Sequence, residues 1–263
     1  MTSRITTLLT DFGLRDPYVA EMKGVILNIC PSVNIVDISH EIEKFNVRMG
    51  SYVLASSSPF FPKGTINVAV VDPGVGTERR GLCVETERGF FVGPDNGLLA
   101  LAVRADRVKH IYVIENTEFL LPSVSSTFHG RDVFAPVAAH LAKGTAPSDL
   151  GPETRNMIIP TFAKVTKDGG KISGEVMNVD GFGNVITNIS EKDLESFGVT
   201  EELSVEVGSK EMRLRFCKAY CNIEVGRPLA LVGSHGFLEI SVNQGDASRV
   251  FGLKDADKIT IRP

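Results

Sequence analysis

An aspartate that ends an apolar run and is followed at once by turn-forming backbone is well placed for ligand chemistry, and this chain holds such a residue at Asp72. Residues 66–71 read as a buried strand. Pro73, Gly74 and Gly76 then bend the chain towards Arg79 and Arg80. Asp, Pro and Gly are also the ordinary residues of turns, so Asp72 alone supports a structural reading as well as a chemical one. Recurrence favours chemistry. Leu8-Leu9-Thr10-Asp11-Phe12-Gly13 is a second apolar run ending in an acid, and residues 34–40 form a third with polar groups at its end. Acids at several strand ends imply one shared sheet edge, where α/β proteins assemble their pockets.

Two further stretches combine chemistry with glycine. Phe128-His129-Gly130-Arg131-Asp132 stands at the expected start of a helix, where unpaired N–H groups and the positive dipole end can face a ligand. His129 suits a base or an orienting donor because imidazole titrates near neutrality; capping or packing is the plain alternative. Asp180-Gly181-Phe182-Gly183-Asn184 joins two strand-like runs and would suit an aromatic ring with polar edges plus an amine or hydroxyl. A β-hairpin loop explains the same glycines. The chain lacks GxxxxGK[ST], GxGxxG after the first strand, HExxH and GxSxG, which removes most support for P-loop, Rossmann, zincin and α/β-hydrolase readings. Cys30, Cys83, Cys217 and Cys221 form neither a CxxC pair nor a Cys/His ligand spacing, so they read as reduced packing residues and no metal is expected.

Bringing Asp11, Asp72 and His129 to one edge requires alternating strands and helices over the first 160 residues. The pattern predicts an α/β N-terminal domain with a mostly parallel central sheet (1–160), a linker (161–170) and a smaller all-β, barrel-like C-terminal domain (171–263). Residues 5–9 read as a strand, and Asp16-Pro17 as the N-cap and first residue of a helix with Val19, Met22, Ile26 and Ile29 on its inner face. Strands are predicted at 33–38, 66–71 and 111–114, and a hairpin from 82–85 and 90–92. Helices are predicted after Asn46, at 97–103 and at 132–141, the last closed by Lys143-Gly144. Beyond Pro160, short strands separated by Gly, Asn and Asp dominate, with one helix at 192–197.

Of the 263 residues, 43% are hydrophobic, enough for a substantial core, and 28 basic and 32 acidic residues are mixed along the chain for a net charge of −4. That balance gives no electrostatic footprint for nucleic acid or an anionic membrane. No apolar run approaches the roughly 18 residues of a membrane span, and Asp11 and Arg15 interrupt any signal-like segment. The expectation is a soluble cytoplasmic protein acting on a small molecule, with neither nucleic acid nor membrane as partner.

Taken in order, TDFG followed by DPYVAEMKG, VVDPGVGTERRG, GPDNGLL, FHGRDVFAPVAAHLAKG and DGFGNVITNI resemble the S-adenosyl-L-methionine hydroxide adenosyltransferases. These form the hydrolase branch of the superfamily that also contains the S-adenosylmethionine fluorinase and chlorinase. The resemblance covers nearly the whole chain. It implies hydrolysis of S-adenosyl-L-methionine to adenosine and L-methionine by in-line attack of water at ribose C5′, without a cofactor. It also implies a homotrimer whose ligand lies between the N-terminal domain of one subunit and the C-terminal domain of its neighbour. Carried onto this sequence, the water-activating residues are Asp72, Arg79 and His129, with Arg80 as the alternative to Arg79. Asp11 matches the acid that holds the ribose hydroxyls, and Phe45 replaces a tryptophan beside the ligand. Asp180 matches the acid near the methionine ammonium, Phe182 and Asn184 match contacts around the adenosyl group, and Ser234 lies at the methionine end. His235 stands where an arginine would meet the carboxylate, a departure from the fluorinase pattern. The halogenating branch lacks this Asp and His, so Asp72 and His129 favour water over halide. Competing readings are a halide transferase on the same scaffold, a non-catalytic S-adenosylmethionine or adenosine binder, and a metal-dependent hydrolase using Asp11, Asp72 and His129.

Overall fold

The computed structural model describes residues 4–199, 201–208 and 210–262, and the chain divides into two compact units, 1–160 and 161–263. In the first, β1 (Ile5–Thr10), β2 (Asn34–Ser39), β3 (Thr65–Val70), β4 (Gly81–Thr86), β5 (Gly89–Pro94) and β6 (Val108–Val113) form one sheet in the order β2-β1-β3-β5-β4-β6. The β2, β1, β3 and β5 neighbours run parallel, while β4 pairs antiparallel with β5 and β6. The mostly parallel sheet and the β4–β5 hairpin are as the sequence predicts. All six residues of β3 are buried, consistent with a central strand covered on both faces.

Helices α1 (Tyr18–Ile29), α2 (Val47–Ser57), α3 (Ala100–Ala105) and α4 (Ala135–Lys143) cover the sheet. Leu8, Val68 and Val70 pack with Met22 and Ile26 of α1 and Val137 and Leu141 of α4 in one core cluster. Against the other face, Gly50 of α2 lies so close to Leu98 and Val71 that an added Cβ would come within 2.8 Å and 3.1 Å of them. The Asn46 side chain caps α2 by accepting the Met49 N–H at 2.9 Å, and Gly144 closes α4 in the left-handed conformation at φ 105°. Asp16 does not cap α1. The N-cap position is Pro17, with no side-chain cap bond, and Asp16 stays exposed.

The second unit is a closed barrel. Strands β8 (Lys171–Val179), β9 (Val185–Ser190), β10 (Glu202–Val207), β11 (Lys210–Phe216), β12 (Pro228–Val232), β13 (Phe237–Val242) and β14 (Lys258–Arg262) run in the order β14-β10-β11-β12-β13-β9-β8, and β14 also pairs with β8. Closure leaves no free edge among these seven strands. Alternating residues such as Ile172, Val205, Leu214, Ile240, Ile259 and Ile261 fill the interior. The segment 161–170, read from sequence as a linker, instead buries Phe162 and Ala163 and supplies β7 (Thr166–Asp168), which pairs with β8. Two short helices, α5 (Glu191–Glu195) and α6 (Ala247–Phe251), complete the unit; a capping box between Ser190 and Asp193 opens α5.

Candidate active site

Register places the acids. Thr10 and Val70 are paired residues of β1 and β3, so Asp11 and Asp72 emerge together at the carboxyl edge of the parallel strands. The turn after β3 is closed by Val75 N–H donating to the Asp72 carbonyl at 3.2 Å and Thr77 N–H to the Gly74 carbonyl at 3.2 Å. Gly76 is required there for two reasons. Its φ is +78°, and a Cβ would stand 2.3 Å from the Ser126 carbonyl oxygen. The Asp72 turn is thus packed directly on the segment that leads to His129.

The turn returns Arg79 to Asp72. Arg79 Nε donates to Asp72 Oδ1 at 3.1 Å and Oδ2 at 2.9 Å, while Nη2 bonds both Asp72 Oδ2 and, at 2.7 Å, His129 Nδ1. The guanidinium carbon lies 5.3 Å from the centre of the buried Phe134 ring, a cation–π contact that fixes the third side of the group. Asp72 is only 5% exposed in its side chain, so the pair is held away from bulk water. Arg80, the alternative from sequence, goes elsewhere: its Nε donates to buried Asp95 at 3.0 Å.

A guanidinium has only donors, so His129 Nδ1 must accept, and the neutral ring carries its proton on Nε2. Burial, and then the positive charge of Arg79, lower the pKa of His129 below 6.5, which keeps that tautomer populated. A π-helical turn, Gly130–Phe134, follows His129 and joins α4. Its register has a local cause. Pro136 lacks an N–H and cannot bond the Asp132 carbonyl, which accepts the Leu121 N–H at 3.0 Å instead, while Ala135 N–H reaches back to Gly130. The helix predicted from Asp132 therefore begins as a π-turn that aims His129 and Phe134 at Arg79.

Asp11, Asp72 and His129 line one cleft of about 320 Å³, together with Phe45. Asp11 is 8% exposed and its Oδ2 accepts the Phe45 N–H at 2.8 Å, holding Phe45 at φ +67°. Such a conformation is strained for an aromatic residue and persists only where its surroundings impose it. Desolvation raises the Asp11 pKa above 3.8, against the opposing effect of the Phe45 N–H, and the nearby Asp72 charge adds to the rise. Behind Asp11, Thr10 Oγ1 contacts the buried His40 Nδ1 at 2.8 Å and accepts the Phe12 N–H at 3.2 Å, which steadies the strand end.

Sequence reasoning missed several cleft residues. Phe12, Tyr18 and Phe128 form a wall of mutually contacting rings, with centroids 5.1–5.7 Å apart, and Asp16 and Lys44 also face the cleft. Asp16 carries a signal in the sequence, an acid in the loop after β1, but an acid before proline reads equally as a helix cap. Among the described residues no group of three His, Cys, Asp or Glu side chains is placed to hold a metal ion, and no helix is long and apolar enough to cross a membrane.

In the second unit, Asp180 organises its own loop. Oδ1 accepts the N–H groups of Phe182 and Asn184, both at 2.9 Å, and Oδ2 accepts Asn184 Nδ2 at 2.9 Å. The loop buries Asn184 and leaves Phe182 83% exposed. Ser234 is exposed in the β12–β13 turn, closed by Gly236 N–H to the Gly233 carbonyl at 2.9 Å. The structure thus gathers Asp11, Phe45, Asp72, Arg79 and His129 in the first unit. Asp180, Phe182 and Asn184 share one loop of the second, and Ser234 belongs to a different turn.

An α/β unit with acids at its carboxyl edge, followed by a closed β-barrel with a glycine-rich, aromatic-bearing loop, defines a two-domain class with a polar cleft in its first unit. The first unit matches the model of the SAM hydroxide adenosyltransferase N-terminal domain over residues 6–151, and the second that of the C-terminal domain over residues 174–260. The chain belongs to the SAM hydroxide adenosyltransferase family. The (R)-S-adenosyl-L-methionine hydrolase of Thermus thermophilus is 39% identical, over 94% of this chain and 95% of that protein. The protein of the same name from Methanocaldococcus jannaschii is 38% identical, over 98% and 95%. The crystal structure of an uncharacterized conserved protein from Thermotoga maritima superposes with a TM-score of 0.88 at 42% identity, over 98% of this chain and 100% of that one.

Proposed function

We propose that the protein hydrolyses S-adenosyl-L-methionine to adenosine and L-methionine by in-line attack of water at ribose C5′. The observation that carries this reading is the Asp72–Arg79–His129 cluster opening on the cleft that Asp11 also lines. The water oxygen bonds to C5′ as the C5′–S bond breaks; sulfur keeps the electron pair and leaves as the neutral thioether of methionine. A sulfonium needs no general acid, so the protein's task is to position water and accept one proton. Asp72 is the acceptor. His129 already receives a bond at Nδ1, so its Nε2–H donates to the water oxygen and directs a lone pair at carbon. Arg79 lies behind both residues and fixes their relative orientation, more than it touches the nucleophile.

For binding, Asp11 accepts from the ribose hydroxyls, Phe45 packs beside the nucleoside, and Phe182 and Asn184 contact the adenosyl group, with Asp180 and Ser234 at the methionine end. The assembly we propose is a cytoplasmic homotrimer with each ligand between the N-terminal unit of one subunit and the C-terminal unit of the next. Family membership supports that arrangement, and the high exposure of Phe182 suits a residue that a ligand covers.

Incubation of the purified protein with S-adenosyl-L-methionine, with and without chloride and with and without chelator, tests the reaction. Adenosine and methionine in every arm are the expected products. 5′-Chloro-5′-deoxyadenosine would instead identify a halide transferase, and loss of turnover in chelator a metal-dependent hydrolase. Asp72→Asn is expected to retain substrate binding by calorimetry and to lose product formation by about 100-fold or more.

A further inference from the structure

Asp132 is fully buried in the π-turn, yet the proposed reaction gives it no role. A carboxylate withdrawn from water needs converging donors, and it has them. Oδ1 accepts Arg131 Nε at 2.7 Å; Oδ2 accepts the Ser125 N–H at 2.8 Å and Arg131 Nη2 at 3.3 Å. Arg131 Nη1 donates to Glu21 of α1 at 2.7 Å, and its guanidinium carbon lies 5.1 Å from the centre of the Phe128 ring. Ser125 Oγ accepts the Phe128 N–H at 3.1 Å. Asp132 therefore grips the 125–129 turn at both ends. It holds Ser125 directly, and Phe128 through Ser125 and Arg131.

We infer that Asp132 is a positioning residue that fixes the orientation of His129, through the Ser125 turn, against Arg79 and the cleft. The inference rests on the reading of His129 as part of the water site. Its physical basis is the short reach of the geometry. His129 follows Phe128 directly, so a shift of Ser125 or Phe128 moves the imidazole, and the Arg79–His129 bond of 2.7 Å has little slack. The charged groups facing the ring are Arg79, Asp72 and Asp132. A residue that merely stabilised the π-turn would alter melting, and one that acted by charge alone would shift the His129 midpoint; neither would lower kcat at a pH where the imidazole is already neutral.

Asp132→Asn and Ser125→Ala, compared with wild type, separate these roles. The readouts are the His129 imidazole titration by NMR without substrate, kcat and KM for S-adenosyl-L-methionine, and Tm. In Asp132→Asn the His129 midpoint is expected to fall, because the lost negative charge had favoured the imidazolium. For a displaced catalytic group, kcat is expected to drop by about 10- to 100-fold. KM should stay within about threefold, since none of the residues assigned a substrate contact is altered. Ser125→Ala keeps the backbone bond to Asp132 but leaves the Phe128 N–H unpaired; it should lower kcat less and leave KM unchanged. An unaltered kcat in folded Asp132→Asn would overturn the inference whatever the titration shows, because the lost charge alone shifts the midpoint. If that variant does not fold, wild-type titration and kcat in Ser125→Ala overturn it. Failure of the wild type to form adenosine would sink the proposed reaction alone, because the substrate-free titration of Ser125→Ala, which changes no charge, still decides whether the Asp132-held turn controls His129.

Discussion

Asp11 and Asp72 end neighbouring strands, and the Asp72 charge makes ionisation of Asp11 harder. For Asp11 the direction is a raised pKa, caused first by desolvation. Its contribution to stability is therefore fully present below about pH 3.8, its unfolded value, and is lost as pH rises through the higher folded value. At neutral pH the ionised group destabilises the fold, as expected of a residue kept for binding. Asp11→Asn preserves an acceptor for the Phe45 N–H and removes the charge, so it should raise Tm at pH 7. Scanning calorimetry should show that gain vanishing below pH 3.8, while calorimetric titration shows weaker substrate binding. His129 has the opposite sign. Burial and Arg79 lower its pKa below 6.5, and the neutral ring is the form that accepts from Arg79. Under saturating substrate, kcat is expected to stay level as pH falls through 6.5 and to decline only below it. A decline centred above 6.5 would assign the acid limb to another group.

Two loops, one after β3 and one before α4, place the reacting groups, and they meet where Gly76 lies against Ser126. Gly76→Ala tests that junction. A non-glycine residue at φ +78° costs about 1–3 kcal/mol by conformation alone, and the new methyl would also displace the Ser126 carbonyl. The expected result is a lower Tm together with loss of turnover, whereas Gly144→Ala, which has no atom within 4 Å of an added Cβ, should lower Tm and leave turnover unchanged. This contrast also marks what the sequence could disclose. The strand ending at Asp72, the hairpin, the α2 cap at Asn46 and the α4 stop at Gly144 were legible because each depends on neighbours along the chain. The contact between Gly76 and Ser126 spans fifty residues, and no local pattern encodes it. The π-turn needs the joint effect of Pro136 and the distant Leu121 N–H, so the local pattern at Asp132 reads as a helix start and does not encode its hold on Ser125. Asp16 is ambiguous in sequence because an acid before proline fits a cap as well as a cleft. Strand β7 and helix α6, three and five residues long, are too short for periodicity to register.

At the scale of the whole molecule, the proposed residues divide between two units, with the water-handling groups in 1–160 and the adenosyl-contacting loop in 161–263. If each site takes its N-terminal unit from one subunit and its C-terminal unit from the next around a ring, lesions in the two units can complement each other. Asp72→Asn destroys the water site and leaves the 180–184 loop sound; Asn184→Ala does the reverse. Each homotrimer should be inactive. In trimers assembled by coexpression at equal levels, a working site needs a sound N-terminal unit next to a sound C-terminal unit. With heterologous, head-to-tail contacts and random mixing, about a quarter of sites satisfy that condition. The coexpressed preparation should thus recover about a quarter of wild-type kcat per site, with wild-type KM, because the restored sites contain no altered residue. Mixing the two purified homotrimers without dissociation should restore nothing, which guards against contamination. Sedimentation equilibrium on the same samples fixes the number of subunits. Recovery at the level of the inactive parents would place both units of a site in one subunit and rule out the shared arrangement, while leaving the hydrolysis itself to be judged by its products.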